Sequence, residues 1–143
     1  GNVRDWWTPE DAARWEAMAS RVGRFYGSLP YPGLDGTKVD GTLTRDEDVA
    51  DLSGVTLARA ALAAAKPDAD TQTVRGFYTG WAQLWAQQVT ADEARLRARQ
   101  DVRAPGQWRA NAPAMQQADF GKVFGCKAGA PMLVKDAERI QPY

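Results

Sequence analysis

Apolar side chains recur every three or four residues along most of this chain, and caps and prolines cut the pattern into separate helices. Thr8-Pro9-Glu10-Asp11 offers a capping hydroxyl, a proline for the first helical position and two acids for the first turn. Together these predict a helix to about Gly27, with Trp15, Met18, Val22, Phe25 and Tyr26 as its buried stripe. From Ser28 to Thr44 the chain carries Pro30, Pro32, Gly33, Gly36 and Gly41, which break helical spacing and predict an ordered loop or short hairpin. A second helix is expected from near Arg45 through Leu52, Val55, Leu57, Ala61 and Leu62 to Ala65, where Lys66-Pro67 stops it. The third, from about Thr71 to Val89, holds Val74, Phe77, Tyr78, Trp81, Leu84 and Trp85 on one broad stripe and is the expected central helix. Thr90-Ala91-Asp92-Glu93 reads as a capping box, with Glu93 reaching back to the cap, and opens a charged helix to about Gln100. A polar turn from Asp101 to Asn111 precedes a last helix that starts at Pro113 and runs through Met115, Phe120 and Phe124; from Gly125 the tail is irregular. The pattern is that of a mainly α fold with irregular loops and little strand.

At 143 residues the chain suits a single domain, residues 1–143. Its 18 basic and 18 acidic side chains cancel, so no basic excess points to nucleic acid or an anionic membrane. No apolar run approaches the ~20 residues that span a bilayer, so no transmembrane segment is expected in this chain. There is no internal repeat and no Gly-rich phosphate loop, which leaves nucleotide chemistry without support. The start, Gly1-Asn2-Val3-Arg4-Asp5, lacks an initiator Met and the pattern of a signal peptide, so the chain is expected to be cut from something longer. Cys126 has no second cysteine to pair with and no neighbour that would activate it, and is assigned a structural role.

Candidate chemistry begins at Asp46-Glu47-Asp48-Val49-Ala50-Asp51. Glu47 and Asp51 lie four apart, one above the other on a helical face, a spacing that suits a metal ligand and the carboxylate that orients a neighbouring imidazole. On spacing alone the ordinary alternative is a solvated acidic face. Crowded like charges repel, however, and a bound cation would explain their clustering. The chain contains no histidine, so any imidazole ligands would lie on other polypeptide. Asp101 to Arg109 is a second constellation, with Arg103 and Arg109 flanking a Pro-Gly turn beside an exposed-looking Trp108. Either arginine could grip a carbonyl or carboxylate with its planar fork; the plainer reading pairs Arg103 with Asp101 and leaves Arg109 a surface charge. Trp6 and Trp7 cannot share one helical face and are expected to anchor this end onto another surface.

Read in order, these pieces resemble the C-terminal part of the neprilysin and endothelin-converting-enzyme family of zinc metallopeptidases, including its bacterial oligopeptidases. Gly1-Asn2-Val3-Arg4-Asp5-Trp6-Trp7-Thr8 is similar to the segment after the family's HExxH helix, and that helix is absent here. Val39-Asp40-Gly41-Thr42-Leu43-Thr44 is similar to an N-G-x-x-T approach, and Glu47 to Gly54 to the family's ENIADxGG. Phe77 to Trp85 is similar to F-x-x-x-F-A-Q-x-W, Asp101 to Pro105 to D-x-H-[SA]-P, and Phe124 to Met132 to F-x-C-x-x-G-x-P-M.

The resemblance implies the helical part of a zincin-type (gluzincin) catalytic domain that hydrolyses oligopeptides with Zn2+. It makes Glu47 the third zinc ligand, Asp51 the support of a zinc-bound histidine, Trp85 part of a substrate pocket and Arg109 the holder of the substrate backbone. Asp101 and Arg103 take the places of the aspartate and histidine that serve the oxyanion, so Arg103 is the main departure, and with it a peptide-binding domain that has lost the chemistry is the alternative. The resemblance further implies that the missing N-terminal portion of the same protein is the chain's partner, that the chain alone is inactive, and that the setting is periplasmic or extracellular.

Overall fold

Six α-helices and one short 3-10 turn make up the computed structural model, which describes residue 2 and residues 4–142. They are α1 Pro9–Ser28, α2 Gly41–Ala65, α3 Thr71–Leu84, α4 Ala91–Gln100, α5 Gly106–Met115 and α6 Phe120–Phe124. Among the described residues the only strand-like pairing is an isolated antiparallel bridge between Pro30 and Lys38, so the loop predicted after α1 is a single tight hairpin.

Local chemistry explains the boundaries. The Thr8 side chain accepts from Asp11 N–H at 3.1 Å, as its position predicts. α2 begins at Gly41, four residues ahead of the expected start at Arg45, because Asp40 caps it: its Oδ1 accepts from the N–H groups of Thr42 and Leu43, each at 3.0 Å. Gly41 therefore opens a helix where the sequence pattern makes it a breaker. α3 stops at Leu84, short of the expected Val89, and Leu84 itself is exposed. At α4 Thr90 caps as predicted, accepting from Glu93 N–H at 3.2 Å, but the Glu93 carboxylate pairs forward with Arg97 at 2.6 Å, so the box is only half formed.

The largest revision concerns α5. Its first residue is Gly106, so the predicted polar turn is largely helical, and Pro113 lies inside its last turn. A proline there has no N–H for the carbonyl four residues back, which is that of Arg109. The Trp81 indole fills the gap, donating to Arg109 O at 3.0 Å. Trp81→Phe should leave that carbonyl unpaired and lower stability by about 1–3 kcal/mol, as read by urea denaturation.

Two clusters form the interior. The first joins Ala19, Val22 and Tyr26 of α1 to Val49 and Leu52 of α2, with Ala94, Ala104, Ala112 and Ile140 around them. The second joins Val74 and Tyr78 of α3 to Ala114, Phe120 and Val123, with Cys126 packed on its edge. α2 contacts both α1 and α5, whereas α3 contacts only α5 and α6 among the helices in substantial contact. The central helix is thus α2, not α3. Its outer stripe also falls short of expectation, since Leu57 is 57% exposed. Between the clusters, Arg59 grips Asp119 with Nε and Nη2 at 2.9 and 2.6 Å, while the Tyr78 hydroxyl donates to the other carboxylate oxygen.

α1 and α2 cross with their backbones in contact. A Cβ built on Gly41 would lie 2.0 Å from Gly23 O, and one on Gly23 would lie 2.7 Å from Gly41 O. No side chain fits at either position without separating the helices. At the chain's start, Trp7 packs edge-on against Trp15 of α1, with ring centroids 5.9 Å apart, and the more exposed Trp6 leans on Trp7 with centroids 5.3 Å apart. No described helix is long and apolar enough to cross a membrane.

Candidate functional site

Three of the four acids of α2, Glu47, Asp48 and Asp51, meet three different surroundings. Glu47 reaches the surface, where its side chain is 39% exposed. Asp51, one turn on, is turned inward and its side chain is 10% exposed. Asp48 points into the protein and is 1% exposed. Of the pair Glu47 and Asp51, the solvated-face reading therefore applies to Glu47 alone.

Asp51 meets Arg109 of α5 across the helix interface. Arg109 Nε donates to Oδ2 at 2.7 Å and Nη2 to Oδ1 at 2.8 Å, a two-point fork that fixes both side chains. The guanidinium carbon also sits 3.7 Å from the centroid of the Trp85 ring, so the cation is sandwiched between a carboxylate and an aromatic face. Arg109 is thus no free surface charge. Trp85 caps α3, and Gly106 holds it close: a Cβ on Gly106 would fall 2.4 Å from Trp85 O. Trp108 is half-buried, with its indole donating to Pro30 O at 2.6 Å, so its predicted exposure is also revised.

Asp101 does not pair with the Arg103 side chain. Its Oδ1 accepts from the Arg103 backbone N–H at 3.0 Å, which shapes the turn. The Arg103 guanidinium instead reaches α2, with Nε 3.6 Å from Glu47 Oε2. A small recess of about 150 Å³ lies beside it, lined by Tyr31, Gln87, Arg97 and the turn from Asp101 to Gln107. The structure thus gathers Glu47, Asp51, Trp85, Asp101, Arg103 and Arg109 on one side of the α2–α5 interface.

Sequence reasoning passed over Asp48. Burial pushes its carboxyl up to about 7; the Thr44 hydroxyl, 2.7 Å away, opposes the shift, and the negative charge of Asp51 adds to it. Thr44 and Asp48 are four apart, a signal that became readable only once α2 was extended back to Gly41. Tyr26 is the second omission. Its hydroxyl is buried with no partner among the described residues, and burial together with Asp48 and Asp51 pushes its pKa up.

In metal-free protein the Asp48 shift has a definite sign. Between pH 4 and 7 the unfolded chain releases this proton while the folded chain keeps it, so stability falls as pH rises through that window and levels off above it. Asp48→Asn should remove the fall, making the variant more stable than the wild type at pH 8 by up to ~4 kcal/mol and close to it near pH 4. Urea denaturation of chelated protein at the two pH values measures this.

Among the described residues no group of three His, Cys, Asp or Glu could hold a metal ion. Glu47 fits as one donor: it is a half-exposed carboxylate whose only ion pair among the described residues is the long one to Arg103. Asp51, with both oxygens engaged by Arg109, fits as a supporting group rather than a ligand.

The helical architecture is that of the helical part of a zincin-type peptidase domain. A family model described as Peptidase family M13 matches residues 1–140, and the chain belongs to that family. It is 28% identical to a neutral endopeptidase of Lactococcus lactis, covering 99% of this chain and 21% of that protein. It is also 28% identical to neprilysin-1 of Caenorhabditis elegans, covering 92% of this chain and 19% of that one. Among solved structures, PepO of Lactobacillus rhamnosis superposes with a TM-score of 0.83 at 28% identity, over 98% of this chain and 21% of that one. The Mycobacterium tuberculosis zinc metalloprotease Zmp1, solved with an inhibitor, shares the fold with a TM-score of 0.86 at 23% identity, over 98% of this chain and 23% of that one. The chain spans about a fifth of the length of the curated relatives it matches.

Proposed function

We propose that residues 1–143 form a single domain that supplies one side of the active site of a zinc-dependent metalloendopeptidase acting on oligopeptides. The observation that carries this reading is the Asp51–Arg109–Trp85 stack, built one turn behind an accessible Glu47 carboxylate. Glu47 would be one protein ligand of the metal, the other two being the histidines of an HExxH segment, which this chain does not contain. When bound, zinc supplies Lewis-acid polarisation of the scissile carbonyl and of a water nucleophile.

The chain's own residues position the rest. Asp51, held rigid by Arg109, keeps lone pairs for the N–H of a zinc-bound histidine. Arg109 has donors beyond the two given to Asp51 and turns them to the substrate backbone. Trp85 forms an apolar wall for the side chain after the scissile bond, and Arg103, on the turn shaped by Asp101, donates to the developing oxyanion. One carboxylate cannot hold zinc tightly, so the isolated chain is inactive and its partner is the rest of the same protein. A periplasmic or extracellular setting goes with this reading. The contact between Arg103 and Glu47 favours a second reading, a peptide-binding domain without the chemistry.

Protein expressed from the complete reading frame, offered a mixed library of short peptides, should cleave as purified, stop on chelation and recover when zinc is restored. Absence of cleavage by folded, zinc-loaded protein would favour the binding domain.

A further inference from the structure

Glu47 is the accessible carboxylate of the site, and a cation of the chain itself already faces it. Arg103 Nε lies 3.6 Å from Glu47 Oε2, and the two side chains are 51% and 39% exposed. No hydrogen bond engages the Arg103 guanidinium among the described residues; Asp101 takes its backbone N–H instead. The other acids nearby are not available to it. Asp51 has each carboxylate oxygen paired with Arg109, and Asp48 is buried on another face of α2 with Thr44.

We propose that Arg103 is a built-in competitor of the metal at Glu47, so that metal loading must displace its guanidinium and the protein binds zinc more weakly than the same site would with an uncharged residue at 103. The inference rests on the reading of Glu47 as a zinc ligand. A zinc ion bonds a carboxylate oxygen at ~2.0–2.2 Å, so one bonded to Oε2, with the side chains as they stand, lies no farther than about 6 Å from Arg103 Nε. Arginine keeps its charge at any pH compatible with folding, so deprotonation cannot relieve the repulsion. Two costs follow for the metal: the attraction between Arg103 and Glu47 is lost, and a dication is placed beside a fixed monocation. The histidine of the resembling family motif sheds its charge near neutral pH and imposes neither cost in full.

The test is zinc affinity, not turnover. Protein from the complete reading frame is stripped of metal and titrated with zinc against a chromophoric chelator, as wild type, Arg103→Leu, Arg103→Lys and Glu47→Ala, with circular dichroism confirming the fold of each. Arg103→Leu should bind zinc on the order of tenfold more tightly than wild type at low salt, and the gap should narrow in 0.5 M NaCl as screening weakens the repulsion. Arg103→Lys, which keeps the charge and loses the fork, should stay close to wild type. Equal affinities of wild type and Arg103→Leu, with Glu47→Ala much weaker, would overturn the competition and leave the peptidase reading standing. An unchanged affinity in Glu47→Ala would remove the ligand assignment itself, and the competition with it.

Discussion

Glu47→Gln is expected to lower kcat/KM for peptide hydrolysis by on the order of 10³-fold or more while leaving the unfolding free energy within about 0.5 kcal/mol of wild type. Residues that merely orient metal ligands cost ten- to a hundredfold when removed, so loss of a ligand should exceed that range. The small stability effect follows from surroundings: the side chain is 39% exposed and its one ion pair among the described residues is at 3.6 Å, a class of contact worth little. Kinetics, bound-zinc content and urea denaturation on one preparation separate the two quantities. Activity within tenfold of wild type, with zinc retained, would contradict the ligand role.

Arg109→Met, by contrast, should unfold far more easily, by about 3–5 kcal/mol. The methionine matches much of the lost volume, so packing is not the main cause. Asp51 would be left charged and about 10% exposed, having lost both donors, with Asp48 on the same helix. The Trp85 ring would lose the cation stacked on it. Adding Asp51→Asn to Arg109→Met should return part of the loss, because a neutral amide is cheaper to leave unpaired than a carboxylate. Urea denaturation of the two single variants and the double variant gives the coupling directly; strictly additive losses would mean that the pair contributes nothing as a pair.

These variants differ because α2 sends neighbouring acids into unlike surroundings, and that division was only half legible in the sequence. The spacing of Glu47 and Asp51 placed both on one helical face, but a period of 3.6 leaves residues four apart rotated from one another, and the packing of α5 decides which is covered. Arg109 is 58 residues from Asp51, beyond the reach of local periodicity. Caps were readable at Thr8 and Thr90, where a hydroxyl precedes acids in the first turn. The start of α2 was not, because Gly41 follows a Gly- and Pro-rich loop and its helical role depends on the Asp40 carboxylate turning onto two backbone N–H groups. Pro113 misled for the same reason in reverse. Proline is most at home in a first turn, and here a tryptophan from another helix lets it stand in a last one.

The meeting of Gly23 and Gly41 gives the site a reference that evolution cannot easily adjust. Where side chains separate two helices, a larger or smaller residue can reset their distance by small steps. Where peptide atoms touch, the smallest available change is a methyl group, which is already too large. Glu47 lies fewer than two turns beyond Gly41 on the same rigid helix, so its carboxylate inherits that fixed origin. Variation in reactivity is thereby pushed outward, onto positions such as 103 that can change without moving the helix.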